Sequence, residues 1–199
     1  MDVFNLSVAP IPQLCIGFIG VGVRGIEAVK RYLQLEVQIV AIAEMGAEAM
    51  QKVKALTAHL PVQPAYYTAP DDWRKLCEHP DIDLLYISTP WQQHAPMAIY
   101  AMQCGKHVAI EVPLAMTIAD CKRIVRTAEE TQRHCMMLEN VCYDHFELMS
   151  VELVKQGKLG ELVHAEGAYI HDLRHLNFRQ TDRDIERGKW RMQYSKTFE

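Results

Sequence analysis

No run of about eighteen consecutive apolar residues occurs in this chain, so a membrane-spanning helix is not among its readings. Met1 to Gln13 contain no basic segment leading into a long apolar stretch, and the chain as given is expected in the cytoplasm; an incomplete amino terminus would instead permit a periplasmic or secreted protein. Clustered positive charge is also missing. Lys and Arg are scattered and the formal net charge is −4, which leaves no electrostatic footprint for nucleic acid or a membrane surface. Neither CxxC nor HExxH spacing is present, so no metal site is expected despite nine histidines and six cysteines. Cys15, Cys77, Cys104, Cys121, Cys135 and Cys142 are irregularly spaced, several inside apolar runs where cysteine acts as a small buried hydrophobe, and a reducing compartment is expected.

What remains is an ordinary globular composition, 49% hydrophobic and 23% charged, with no low-complexity tract to suggest disorder. A chain of 199 residues buries one good core, and two unequal domains fit best: residues 1–143 and 144–199. Leu14 to Ile19 is an apolar run closed by glycine, followed by Ile26, Val29 and Leu33 at helical spacing; Val37 to Ala43 is β-branched and precedes a helix over Ala47 to Ala58. The alternation continues through a helix at Asp71 to Cys77, a strand at Leu84 to Ser88, a helix at Pro96 to Gln103 ended by Gly105, and a strand at His107 to Ile110. Thr117 then caps a helix with a buried stripe of Cys121, Ile124, Val125 and Ala128, and His134 to Leu138 is a further strand. Wholly apolar strands alternating with amphipathic helices specify an α/β fold, a doubly wound parallel Rossmann sheet. Beyond Asp144 a helix carrying Phe146, Met149 and Leu153 ends at Gly157, and Leu162 to Ile170 reads as one strand with no second strand to pair it. The second domain therefore reads as the start of an incomplete α+β substrate domain. A tail that folds back on the first domain is the alternative.

Gly20-Val-Gly22-Val-Arg-Gly25 matches G-x-G-x-x-G at a strand-to-helix turn, where the glycines permit the turn, the approach of a pyrophosphate and close helix packing. A tight turn without a ligand would use the same residues. Glu44 ends the second strand nineteen residues after Gly25 (44 − 25 = 19), where a carboxylate accepts from an adenosine ribose and repels a 2′-phosphate, favouring NAD over NADP; a cap on the next helix is the other reading. Thr89-Pro-Trp91-Gln92-Gln93-His94, Glu111-Val112-Pro113 and Glu139-Asn140 follow the ends of other strands, the edge at which open α/β sheets bind ligands. Trp91 could lie beside a nicotinamide ribose or be buried at a helix entry, and Glu111 and Asn140 could equally be loop or cap residues. Gly167, Tyr169 and His171 share a face of the last predicted strand, small then aromatic then ionisable, as in a sugar pocket or in ordinary sheet packing. Trp190-Arg191 offers a stacking surface and fixed donors, or simply polar surface.

On IGFIGVGVRG (Ile16 to Gly25), WQQH (Trp91 to His94), GKHVAIEVP (Gly105 to Pro113), HCMMLENVCYD (His134 to Asp144), EGAYIHDLR (Glu166 to Arg174) and KWRMQY (Lys189 to Tyr194), the whole chain resembles the amino-terminal half of the Gfo/Idh/MocA oxidoreductases. It is more similar still to glycoside hydrolase family 109, the NAD-dependent α-N-acetylgalactosaminidase group. The resemblance implies NAD contacts from Val23, Arg24, Glu44, Trp91 to His94, Glu111, Val112 and Asn140, and sugar contacts from Tyr169 and Arg191. It also implies a glycoside substrate and a reaction of oxidation at C3, elimination, water addition and re-reduction. Dehydrogenases of the broad family usually carry Glu-Lys-Pro where this chain has Glu111-Val112-Pro113, so plain sugar dehydrogenation lacks its lysine here, whereas the hydrolase group has Glu-Val-Pro. That group places a Tyr-x-Thr-His acid/base segment after Trp-Arg-Met, expected downstream of Glu199, so this chain alone is expected to be an inactive fragment. A sugar dehydrogenase and a non-catalytic nucleotide-binding fragment are the competing expectations, and a homo-oligomer through the carboxyl-terminal sheet is left open.

Overall fold

A computed structural model describes residues 3–168, Ile170 and Asp172, and divides the chain into units spanning 1–142 and 143–199. The first unit contains six parallel strands, β1 (Leu14–Ile19), β2 (Val37–Ala43), β3 (Ala65–Tyr67), β4 (Leu84–Ile87), β5 (His107–Ile110) and β6 (Cys135–Met137), in the order β3-β2-β1-β4-β5-β6. Strand order reverses between β1 and β4, so the sheet is the doubly wound Rossmann form that was expected, with a crevice at the switch point. Five helices of this unit connect the strands: α1 (Val23–Tyr32), α2 (Ala47–Thr57), α3 (Trp73–Glu78), α4 (Trp91–Gln103) and α5 (Ile118–Thr131).

Two apolar clusters, one for each face of the sheet, hold these layers together. Phe18, Ile42, Val29, Met50 and Tyr86 belong to the cluster containing the α1 and α2 residues, while Leu76, Leu85, Ile87, Met102 and Ile124 belong to that of α3, α4 and α5. Each wholly buried Phe, Ile or Leu contributes about 1.5–3 kcal/mol by leaving water, which is why such largely apolar strands form here at all. Register is set by the same burial: Phe18 lies opposite Ile42 and Tyr86, and Tyr86 opposite Ala109.

Some elements differ from the sequence reading. Strand β3 was not anticipated, because three residues are too few to show a period. Helix α4 begins at Trp91 rather than Pro96; Pro96 forfeits only the amide bond to the Gln92 carbonyl, and Gln92 is exposed, so water can serve that oxygen. Val125 leaves the buried stripe of α5, being 40% exposed, and Thr127 joins it instead.

In the second unit, α6 (His145–Lys155) is capped by Asp144 and ends before Gly157, which has φ +67. No strand runs through 162–168, against the strand expected over 162–170; a lone strand cannot satisfy its amides and carbonyls, and no partner strand exists among the described residues.

Candidate cofactor site

Because every pairing is parallel, the carboxyl ends of all six strands open onto one edge, and the turn from β1 to α1 lies at the crevice. Gly20 has φ +83, and a methyl group there would stand 2.6 Å from the Ser88 carbonyl oxygen. At Gly25 the methyl would be 2.3 Å from the Gly20 carbonyl oxygen and 2.7 Å from Ser88 Oγ, whose hydroxyl donates to that carbonyl at 2.7 Å. Gly22 is unlike both: its φ is −61, and an added methyl meets nothing within 4 Å. Protein packing thus demands glycine at 20 and 25 but not at 22. The open volume at Gly22 faces the amino end of α1, where no side chain caps the helix, and free N–H groups with the positive end of the dipole suit a diphosphate. Val23 and Arg24, both exposed, form the first turn beside it.

Glu44 immediately follows β2 and joins two backbones. Its Oε2 accepts from Val21 N–H at 2.7 Å in the glycine turn, and its Oε1 from Gly46 N–H at 2.6 Å at the start of α2. Capping and ligand binding are not exclusive here, since a carboxylate has about four lone-pair positions and two remain for ribose hydroxyls. Next to Glu44 an open hollow of about 440 Å³ is lined by Met45, Ala47, Met50, Gln51, Lys54 and Thr68. Met45 lies two residues past the end of β2 and Thr68 immediately follows β3, positions at the strand ends where ligand contacts are to be sought.

Trp91 to His94 form the first turn of α4. Gln92 and Gln93 are exposed and Trp91 half-buried, whereas His94 is 1% exposed and faces the interior. Its Nδ1 lies 2.6 Å from the Pro113 carbonyl oxygen and its Nε2 2.9 Å from that of Thr89, so the ring is lodged between the loop after β4 and the loop after β5, and a neutral imidazole donates to one of the two carbonyls. His94 reaches the site through those loops.

Glu111, Val112 and Pro113 follow β5 and are half-buried. The Tyr86 hydroxyl donates to Glu111 Oε1 at 2.5 Å. Burial first, then this bond and the carboxylate's charge, push the Tyr86 phenol far above its ordinary range. Asn140 is exposed after β6, with its N–H donating to Glu139 Oε1 at 2.8 Å, and Val141 beside it has φ +57, a conformation that strains a β-branched residue. Tyr169, His171, Trp190 and Arg191 lie outside the described residues.

The geometry therefore brings the glycine turn, Glu44 and Ser88 into one bonded group, and Tyr86, Glu111, His94 and the loops after β4 and β5 into their own links. Ser88 and Tyr86 escaped the sequence reading, although both sit within four residues of Thr89-Pro90 and would repay attention wherever a strand runs into such a loop.

A model described as the oxidoreductase family, NAD-binding Rossmann fold, matches residues 14–139, more than half the chain. The chain belongs to the Gfo/Idh/MocA oxidoreductase family. NAD is the cofactor of this family's Rossmann domain, and the turn, the open space at Gly22 and Glu44 all fit it. The glycosyl hydrolase 109 carboxyl-terminal domain matches residues 143–198. An alpha-N-acetylgalactosaminidase of Bacteroides fragilis is 47% identical over 196 residues, covering 97% of this chain and 46% of that protein. The chain thus spans less than half the length of the curated relatives it matches. An NAD binding oxidoreductase from Klebsiella pneumoniae is 27% identical with TM-score 0.63, covering 75% of this chain and 40% of that one. The WlbA dehydrogenase of Bordetella pertussis, solved with NADH and UDP-GlcNAcA, is 23% identical with TM-score 0.65 over 74% of this chain and 43% of that one, a likeness of fold.

Proposed function

We propose that this chain carries the cofactor site of an NAD-dependent glycoside hydrolase acting on α-N-acetylgalactosaminides. The observation that carries the reading is similarity to an alpha-N-acetylgalactosaminidase along 97% of the chain. Val112 supports it: between Glu111 and Pro113 stands an apolar side chain with no ammonium to assist simple oxidation of a sugar hydroxyl.

Bound NAD supplies a reversible oxidation at C3 of the sugar, which acidifies the C2 proton for elimination and is undone at the end of the cycle. The residues of this chain bind and orient. The α1 amides at Gly22, with Val23 and Arg24, receive the diphosphate; Glu44 takes the adenosine ribose; Trp91, Gln92, Gln93, Glu111, Val112 and Asn140 surround the nicotinamide end, with His94 fixing the loops between them. Tyr169 and Arg191 are proposed to hold the sugar. The acid/base residues are proposed to belong to the part of the relatives that this chain does not span, so hydrolysis is assigned to a protein of their full length.

The test is an assay of such a full-length protein built on this chain. Release of nitrophenol from an aryl α-N-acetylgalactosaminide without accumulation of NADH is the expected result. No release despite bound NAD would overturn the reading, and NADH accumulating with a free sugar would replace it with a dehydrogenase.

A further inference from the structure

Tyr86 and Glu111 are related by sheet geometry rather than by sequence. Tyr86 on β4 lies opposite Ala109 on β5, and two residues further along the same face of that strand is Glu111. Diagonal neighbours of this kind are within reach of a long side chain, and the phenol reaches the carboxylate at 2.5 Å. The Tyr86 ring is 3% exposed and packs against Phe18 and Tyr32, with centroids 5.4 Å and 6.0 Å away. A hydroxyl so enclosed needs a protein acceptor, and Glu111 is the one it has. Its raised pKa keeps it a neutral donor.

Glu111 is held on its other side by the main chain: its N–H donates to the Ile87 carbonyl at 2.9 Å, extending the β4–β5 ladder by one residue. Among the described residues, its second carboxylate oxygen accepts no hydrogen bond from the chain. One oxygen is thus anchored from within the core while the other keeps its lone pairs at the ligand-binding edge.

We propose that Tyr86 is a positioning residue: it fixes the Glu111 carboxylate before the cofactor arrives, so that the unengaged oxygen is presented to the ribose at the nicotinamide end. The inference rests on the reading of Glu111 as a cofactor contact. A glutamate at a strand end has three side-chain torsions, and ordering them only on binding would oppose association. Tyr86 removes that opposition in advance.

A calorimetric double-mutant cycle on this chain tests it, with NAD as the probe and Tyr86→Phe, Glu111→Gln and the double variant compared with the unaltered protein. Tyr86→Phe keeps the ring and its packing and loses only the donor. It is expected to weaken NAD binding by about two- to tenfold. In the Glu111→Gln background the same change is expected to do much less, because the amide can still accept from the Tyr86 hydroxyl but turns an NH2 donor, not a carboxylate oxygen, toward the ribose. Thermal melts of all four proteins separate this from a general loss of structure. Losses that multiply, or a Tyr86→Phe protein that binds as well as the original, would overturn the proposal while leaving the cofactor site intact. Unchanged binding by Glu111→Gln would overturn it together with the role given to Glu111, and an unaltered protein that binds no NAD would overturn the site as a whole.

Discussion

An alanine at Gly25 sets a methyl group 2.3 Å from the Gly20 carbonyl oxygen, and backbone cannot swing aside as a side chain might. Gly25→Ala is expected to lose about 3 kcal/mol of stability, read as a lower denaturant midpoint. At Gly22 the same methyl meets no neighbouring atom of the described residues within 4 Å, so Gly22→Ala is expected to change stability by under about 1 kcal/mol. Its NAD affinity, however, should fall by about tenfold or more, equivalent to roughly 1.4 kcal/mol, since that space is assigned to the diphosphate. Glu44→Ala combines both effects: two N–H donors, of Val21 and Gly46, lose their acceptor, and the charge that opposes a 2′-phosphate disappears. A loss of about 1 kcal/mol in unfolding experiments and an equalised affinity for NAD and NADP are expected. The glycine turn and Glu44 were legible from sequence because strand, turn and helix follow one another along the chain. The Tyr86–Glu111 bond was not, because it depends on β4–β5 register across 25 residues.

Among the elements, β5 and β6 carry a pH-sensitive joint. The Nδ1 of His107, at the start of β5, accepts the N–H of His134 at 3.0 Å, which requires that nitrogen to be unprotonated. Burial foremost, then the positive charges of Arg133 and His134, hold the His107 pKa below its ordinary value of 6.5 against a smaller opposing pull from Asp83. The folded chain therefore takes up this proton less readily than the unfolded one. His107's contribution is complete above pH 6.5 and is lost as pH falls through its lower folded value. Melting temperatures recorded downward from neutral pH are expected to fall less steeply in His107→Gln than in the original protein. At the other end of the preceding connection, the Thr117 hydroxyl accepts Asp120 N–H at 3.1 Å and donates to its carboxylate at 2.9 Å, so Thr117→Ala is expected to lose about 1 kcal/mol in denaturant melts. That cap was readable in advance, as was the close of α4 at Gly105, because capping is local chemistry. The start of α4 was misplaced for the complementary reason: proline favours a first turn in general, and only the exposure of Gln92 shows why this one is tolerated inside.

For the molecule as a whole, both apolar clusters belong to the unit spanning 1–142, and α6 of the other unit exposes Phe146 at 69% and Leu148 and Val151 at 51% each. Amide hydrogen exchange is expected to be slowest in β1 and β4 and markedly faster in α6. The alternation of strands and helices made the sheet legible at this scale, and parallel pairing then placed every candidate residue of the first unit along one edge. Along that edge the dinucleotide is proposed to cross from Glu44, over Gly22, to Glu111. Titration calorimetry of this chain with NAD and with NADP tests it most directly. One NAD per chain is expected, bound at least about tenfold more tightly than NADP, a difference of roughly 1.4 kcal/mol. No heat from NAD, or equal affinity for the phosphorylated cofactor, would contradict it.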